Sequence, residues 1–519
     1  MSLEAVLADL ACGCAIRADT TALIETSGRR LSYAQLGQCV ERAAANLRTG
    51  GLQPGERVLF AVRPSIEAIV LILAVLRAGG VLVAVEPGMS ESVFAARMAL
   101  VKPRWCIAES MVLALAARRS LRALLARRGV VLPNLLAVGA RLLVRVGPRW
   151  PGVPPAMDYA RVCSDPQTIG VGAADTPSAD RPAFVVFTSG TTDAPKAVVH
   201  SSASLGASVR LLSEHLRFEV GDVAYSAHLH MIVPALLAGA HVVIPRHKRF
   251  SATRFLADVE QYGVTHTFGT PSDFMNVVRC ARAERRQLPA VLRLVLLGAA
   301  PVERAFLRRM REAVPPSTAV WCVYAMTEML PVAVVRMEDK LAGPTLGDLI
   351  GRPVPGVEAR IASDGELLVR GPHLFYGYYG HAQIEEHATG DLATLDDAGR
   401  IVLLGRKKDM IIRGQHNVYP GLYEPNIASI DGVRKCSLIG VYSEREADEH
   451  IVLVVEPDSG EDEAKLERRI RAAICHGPHA IDQSARPDAI VFARLPLAGR
   501  SNKVDKRALL ELVRERVAC

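Results

Sequence analysis

"FTSGTTDAPKAVVH", Phe187 to His200, is the stretch on which the reading of this chain turns. Thr188, Ser189, Gly190, Thr191 and Thr192 form an unbroken run of hydroxyl side chains and glycine, and Pro195 and Lys196 follow. Taken alone, these residues read as a surface loop, because Ser, Thr, Gly and Pro between apolar runs commonly make one. What precedes them suggests a second reading. "VVF" closes a buried strand, and in open α/β sheets ligands settle beyond the carboxyl ends of the strands. Backbone N–H groups and hydroxyls there wrap phosphate oxygens, and Lys196 supplies a point charge. The run is not a Walker A loop, since no second glycine precedes Lys196 and no Ser or Thr follows it.

Outward from this stretch, short β-branched runs alternate with helical patterns. "RVLFAV" (57–62) leads into the helix "SIEAIVLILAVLRAG" and then "VLVAVEP" (81–87). The rhythm returns at "AFVVFTSG", "HVVIP", "VTHTFGTP" and "LRLVLLGAAP". That order predicts an α/β fold of layered, mostly parallel sheets covered by helices. Near residue 345 the texture turns rich in Gly and Pro with alternating strands, and "DGE" marks a hairpin. The expected organisation is a large N-terminal domain over 1–405, containing a β-barrel-like, β-rich subdomain at 345–405. A small α+β C-terminal domain, 406–519, follows.

The 519 residues are 50% hydrophobic and 22% charged, ordinary globular usage for more than one core. The net charge of +8 is local: no acid falls between Glu109 and Asp158, where Arg118, Arg119, Arg122, Arg127, Arg128, Arg141, Arg145 and Arg149 stand. This 118–149 segment reads either as a basic helix in weak contact with an anionic membrane surface or as a solvated helix face over a core. Nucleic acid is not an expected partner, since aromatic residues are 5% of the chain and only Trp150 adjoins the basic run. Glu4 and Asp9 occupy the place of a basic signal region, the longest early apolar run stops at Arg77, and the ten cysteines are scattered. A cytoplasmic location with free thiols is expected.

"FTSGTTDAPKAVVH" resembles the phosphate-loop signature of the adenylate-forming superfamily: acyl-CoA synthetases, luciferases and nonribosomal adenylation domains. Further motifs follow in that family's order. "LSYAQL" (31–36) and "RAGGVLVAVEPG" (77–88) are similar to its early structural motifs, and "LGAAP" (297–301) and "YAMTE" (324–328) to its nucleotide-pocket motifs. "TGDLATLDDAGRIVLLGRKKDMIIRG" (389–414) and "LPLAGRSNKVDKRAL" (495–509) are similar to the ribose-binding, hinge and C-terminal lysine regions.

The resemblance implies activation of a carboxylic acid by ATP and Mg²⁺ to an acyl-adenylate, with coenzyme A as the expected acceptor. It assigns Thr188, Ser189, Gly190, Thr191, Thr192 and Lys196 to the β and γ phosphates, Thr327 to the α-phosphate and Glu328 to the metal. Tyr324, Ala325 and Met326, with Gly298, Ala299, Ala300 and Pro301, shape the adenine pocket. Asp391 and Arg406 take the ribose, and Lys503 reaches the α-phosphate and carboxylate. The small domain is expected to pivot at Lys408 and to present the Gly414 loop to a thiol. Each role answers a physical need, because two anions must be brought together while pyrophosphate leaves.

His228 and His230 share one face if their segment is extended, and without a third ligand the pair reads as packing or substrate contact rather than metal. With Met329 and Leu330 they are the candidate acyl-pocket residues. The stretch "AYSAHLHMIVPALLAGAHVVIP" (224–245), "FGTPSDF" and "MTEMLPVAVV" are similar to olefin-pathway β-lactone synthetases, which act on β-hydroxy acids. Transfer to a carrier protein in trans or to an amine, and an adenylate-binding module without turnover, are the further alternatives. Asp193, Ala197, Ala325 and Asn502 stand where the family usually has glycine, and Leu422 and Tyr423 where it has Glu-Ile. The Asp193 carboxylate is expected to weaken ATP binding unless a cation offsets it.

Overall fold

The computed structural model describes residues 2–85, 91–127, 133–166, 179–187, 196–246, 250–344, 346–413, 416–443, 448–498 and 503–517. Two large sheets organise it. The first has thirteen strands, and its parallel part runs from Ala319–Met326 through Leu294–Leu297, His266–Gly269, Val223–Tyr225 and His241–Ile244 to Thr21–Glu25. The second has eight, running in parallel from Pro182–Phe187 through Val81–Ala84, Arg57–Ala61, Trp105–Glu109 and Leu142–Val146 to Met157–Asp158. The expected α/β architecture is the one formed, and its strands fall on the apolar runs picked from sequence.

Helices Tyr33–Thr49 and Ile66–Arg77 pack together and join a core with residues of both sheets. Their residues explain their form. Ser32 and Gln35 make a reciprocal capping box at the start of the first. The second is buried nearly all round, from Ile66 to Leu76, as a helix enclosed by neighbours must be. Truncating Leu71, fully buried in that core, costs about 2–5 kcal/mol.

The 345–405 stretch is antiparallel. Asp348–Pro353, Glu358–Ile361, Glu366–Arg370, His387–Leu395 and Ile401–Arg406 extend the thirteen-stranded sheet beyond Met329–Arg336. The predicted "DGE" hairpin joins Glu358–Ile361 to Glu366–Arg370, with Gly365 at φ 83°, a conformation that glycine adopts without strain. A smaller C-terminal domain follows, with a three-stranded sheet (Val433–Ser443, Asp448–Pro457, Ala489–Phe492) and helices Pro420–Ile427, Glu463–Cys475 and Lys506–Val517. Its helix Pro420–Ile427 lies on the Ile401–Arg406 strand, so close that a Cβ at Gly421 would sit 2.7 Å from the Gly405 Cα.

Two local expectations are corrected. The basic segment is no continuous helix: among its described residues Arg119–Arg127 is α-helical, and Leu142–Val146 is a strand inside the second sheet. Two of its arginines are engaged, Arg122 with Glu91 and Arg145 with Asp158. The His228–His230 segment is not extended either, because helix Leu229–Ala238 begins directly after His228. All nine described cysteines are free. No helix among the described residues is long and apolar enough to cross a membrane.

Candidate active site

A cleft of about 250 Å³ opens where the parallel and antiparallel parts of the thirteen-stranded sheet meet. Its ordered walls follow from strand register. Ala319–Met326 and Met329–Arg336 pair antiparallel around a turn made by Thr327 and Glu328, which lifts both residues to the sheet edge. Asp391 and Arg406 stand directly opposite each other on neighbouring antiparallel strands, the position at which side chains of opposite charge meet.

Asp391 is fully engaged. Arg406 Nε lies 2.6 Å from its Oδ1, and the Tyr324 hydroxyl donates to its Oδ2. Its backbone N–H donates to Thr389 Oγ1 at 3.0 Å. Burial raises the pKa of this carboxyl in spite of the neighbouring guanidinium. The same burial, with the Asp391 charge, holds the Tyr324 phenol well above its ordinary value.

Glu328 sits at the other end of the cleft. Its Oε1 accepts from the Tyr378 hydroxyl at 3.1 Å, the one side-chain hydrogen bond recorded for it among the described residues. Tyr378 comes from the other sheet, on a two-residue strand paired with Ala197–Ser201. The Lys196 amine stands 5.5 Å from the Tyr378 ring centroid. Buried His200 fixes the turn from beneath, with its Nε2 2.8 Å from the Thr327 carbonyl oxygen. Burial, then the Glu328 charge, pushes the Tyr378 phenol up to about 12. No cluster of three or more His, Cys, Asp or Glu exists among the described residues. A carboxylate with one hydrogen bond keeps lone pairs that suit a hard cation holding water and phosphate oxygens, which is how Mg²⁺ is usually held.

Lys503, on the short strand Lys503–Val504 of the C-terminal domain, lies within electrostatic range of Asp391 and Arg406. Burial and the Arg406 guanidinium lower its pKa, and the Asp391 charge opposes them. Lys408 lies in a single turn, Lys407–Asp409, with an ion pair on each side. Lys407 binds Asp364 at 2.6 Å and Glu366 at 2.8 Å in the large domain, and Asp409 stands 3.6 Å from Lys506 in the small one.

The cleft thus gathers Tyr324, Ala325, Met326, Glu328, Asp391 and Arg406. Gly298, Ala299, Ala300 and Pro301 follow the adjacent strand Leu294–Leu297 without lining that cavity. Gly298 approaches Val323 so closely that a Cβ would meet its Cγ1 at 2.7 Å, and Ala299 adopts φ 63°. Such non-glycine strain is characteristic of ligand-facing turns.

The acyl-pocket candidates divide. His228 and His230 stack 5.3 Å apart, both edge-on to Phe268 at 5.2 and 4.6 Å. Leu330 packs in the same core as Phe268 and Val323, whereas Met329 is fully buried in another core with Val198. The His230 imidazole has its Nε2 buried without a hydrogen-bond partner, and burial presses its pKa down to about 3.

Thr188, Ser189, Gly190, Thr191, Thr192, Asp193, Gly414 and Asn502 lie outside the described residues. Sequence reasoning missed Tyr378, His200, His387 and Glu366. Tyr378 falls in the Gly- and Pro-rich region that begins near residue 345, but its partner Glu328 is fifty residues away and on another sheet, which no local pattern reveals.

With this geometry in view, comparison places the chain among known proteins. Residues 13–379 match the family described as "AMP-binding enzyme". An olefin beta-lactone synthetase of Xanthomonas campestris is 29% identical over 86% of this chain and 85% of its own length. A feruloyl-CoA synthase of Amycolatopsis is 26% identical over 84% and 85%. The solved amide bond synthetase McbA from Marinactinospora thermotolerans superposes with a TM-score of 0.81 at 23% identity, over 98% of this chain and 99% of that one, which shows a shared fold.

Proposed function

We propose, for a chain that belongs to the AMP-binding enzyme family, that it activates a carboxylic acid with ATP and passes the acyl group to coenzyme A. One observation carries this reading: a single cleft holds Tyr324, Glu328, Asp391 and Arg406, with Lys503 of the smaller domain in electrostatic range of the last two.

In this reading the acid's carboxylate oxygen attacks the α-phosphorus of ATP, the bond to the β-phosphate oxygen breaks, and pyrophosphate departs. Asp391 accepts from the ribose hydroxyls, and Tyr324 forms the wall against which adenine stacks. Arg406, Lys196 and Lys503 set positive charge around two anions that otherwise repel, and the run Thr188 to Thr192 donates to the leaving phosphates. Glu328 would hold Mg²⁺, whose chemistry is to neutralise the triphosphate, and Tyr378 aims that carboxylate. Rotation about Lys408 then withdraws Lys503 and brings the Gly414 loop to an incoming thiol. A cytoplasmic setting fits an enzyme that consumes ATP and coenzyme A.

A second reading, lactone closure of a β-hydroxy acid by its own hydroxyl, is favoured by the similarity to the olefin β-lactone synthetase. The deciding experiment supplies ATP, Mg²⁺ and a panel of fatty, aryl and β-hydroxy acids, with and without coenzyme A, and identifies products by mass. Acyl-CoA formed only when the thiol is present supports the first reading. A β-lactone formed without it supports the second, and no acid-dependent pyrophosphate exchange with any acid rejects both.

A further inference from the structure

A second cavity, of about 410 Å³, lies on the eight-stranded-sheet side of the molecule and shares no lining residue with the cleft. That volume falls within the range of small-molecule sites. It is a groove along helix Glu91–Val101, closed on the far side by the segment 134–141. Its floor is apolar: Phe94 and Met98, one helical turn apart, are 3% and 5% exposed. Ala95 and Ala99 on the helix and Ala137 opposite keep the walls thin.

One end of the groove is cationic. Lys102, at the end of the helix, Arg104 and Arg141 all line it, and the Arg141 backbone N–H donates to the Arg104 carbonyl at 2.9 Å. Arg104 is answered by Glu56 at 2.7 Å. No ion pair is recorded for Lys102 or Arg141 among the described residues. At the opposite end the acid Glu91 is taken by Arg122 at 2.7 Å. A buried apolar floor in a cavity also lined by two cations without an ion pair among the described residues complements a chain with an anionic head, and guanidinium and ammonium groups both take a carboxylate.

We propose that this groove is a binding site for a free alkyl carboxylate of medium length, with its chain on Phe94 and Met98 and its head on Lys102 and Arg141. The site is separate from the acid-activating cleft and does not depend on the activity assigned there. The same helix carries Arg97 over the Phe187 ring at 5.0 Å, so an occupant rests one helix away from the strand that ends at the phosphate-loop stretch.

Hydrogen exchange of the full chain, read by mass spectrometry in the absence of ATP, tests the proposal with decanoate as the probe. Decanoate is expected to slow exchange in 91–104 and 134–141. Ala99→Trp, which fills the groove, abolishes the effect, and Ala137→Trp repeats the test from the opposite wall, each checked for an unchanged thermal melt. Lys102→Glu with Arg141→Glu raises the decanoate concentration required by about tenfold or more, as does replacing decanoate with uncharged decanol. No slowing in the wild type, or slowing that survives in both tryptophan variants, overturns the site. Decanol as effective as decanoate overturns the role of the cations. Decyl phosphate acting at lower concentration overturns the carboxylate, and protection by phosphatidylglycerol vesicles alone makes the surface a membrane contact instead.

Discussion

The two carboxylates of the cleft, Asp391 and Glu328, are built in opposite ways. Asp391 is 5% exposed, and two side chains and a threonine hydroxyl fix its position. Among the described residues, Glu328 has one side-chain hydrogen bond, from a tyrosine hydroxyl 3.1 Å away. A buried, fully bonded acid is a rigid acceptor with a set geometry, while a loosely held one at a hairpin turn keeps oxygen lone pairs for a cation. One cleft therefore contains a preorganised end and an adaptable end, and in the proposed reaction Lys503 of the smaller domain supplies a further cation.

The strongest way to break this division is to remove the Lys503 cation. Lys503→Ala is expected to lower acid-dependent pyrophosphate exchange by about 10²–10³-fold while sparing acyl transfer from a supplied adenylate. Equal loss of both steps would place Lys503 in general folding rather than in the first half-reaction.

Glu328→Gln comes next. Exchange should fall by about a hundredfold, and the Mg²⁺ concentration giving half-maximal rate should rise. A variant with an unaltered Mg²⁺ dependence would take the metal away from this end.

Asp391→Asn separates function from stability. Because burial raises this carboxyl's folded pKa above its unfolded value, the ionised form is disfavoured on folding. Its charge costs stability once pH exceeds the folded pKa, and that cost fades as pH falls through it. The variant should keep or raise Tm at neutral pH, yet its KM for ATP should rise about tenfold. A matching fall in Tm would make Asp391 a structural residue.

The smallest effect belongs to Tyr378→Phe, which removes one hydroxyl from Glu328. About a fivefold rise in the Mg²⁺ requirement is expected, near the net worth of one hydrogen bond, with the KM for the acid unchanged. An identical Mg²⁺ titration would show that Glu328 aims itself.

Much of this was legible in the sequence because it is local. The alternation of β-branched runs with helical stretches located strands such as Arg57–Ala61 and Leu294–Leu297, since a strand buried on both faces must be continuously apolar. Residues brought together by strand register were also reachable: Asp391 and Arg406 belong to one quoted stretch and face each other across one strand pair. Where a segment was short and apolar, periodicity failed. "HLHMIVPALLAG" suits a strand or a buried helix equally, and tertiary packing chose the helix. The arginine-rich segment failed for the same reason, since β-sheet pairing with Trp105–Glu109 outweighed its helical spacing at Leu142–Val146.

The sequence by itself determined the α/β class, the family and the residue types of the cleft, because each is written in contiguous patterns. Only the tertiary structure decided that Tyr378 of one sheet hydrogen-bonds Glu328 of the other, that the Lys503 charge acts on Asp391, and that Lys102 and Arg141 line one apolar groove. Those are contacts across long chain separations, fixed by how sheets and domains pack rather than by any spacing along the chain.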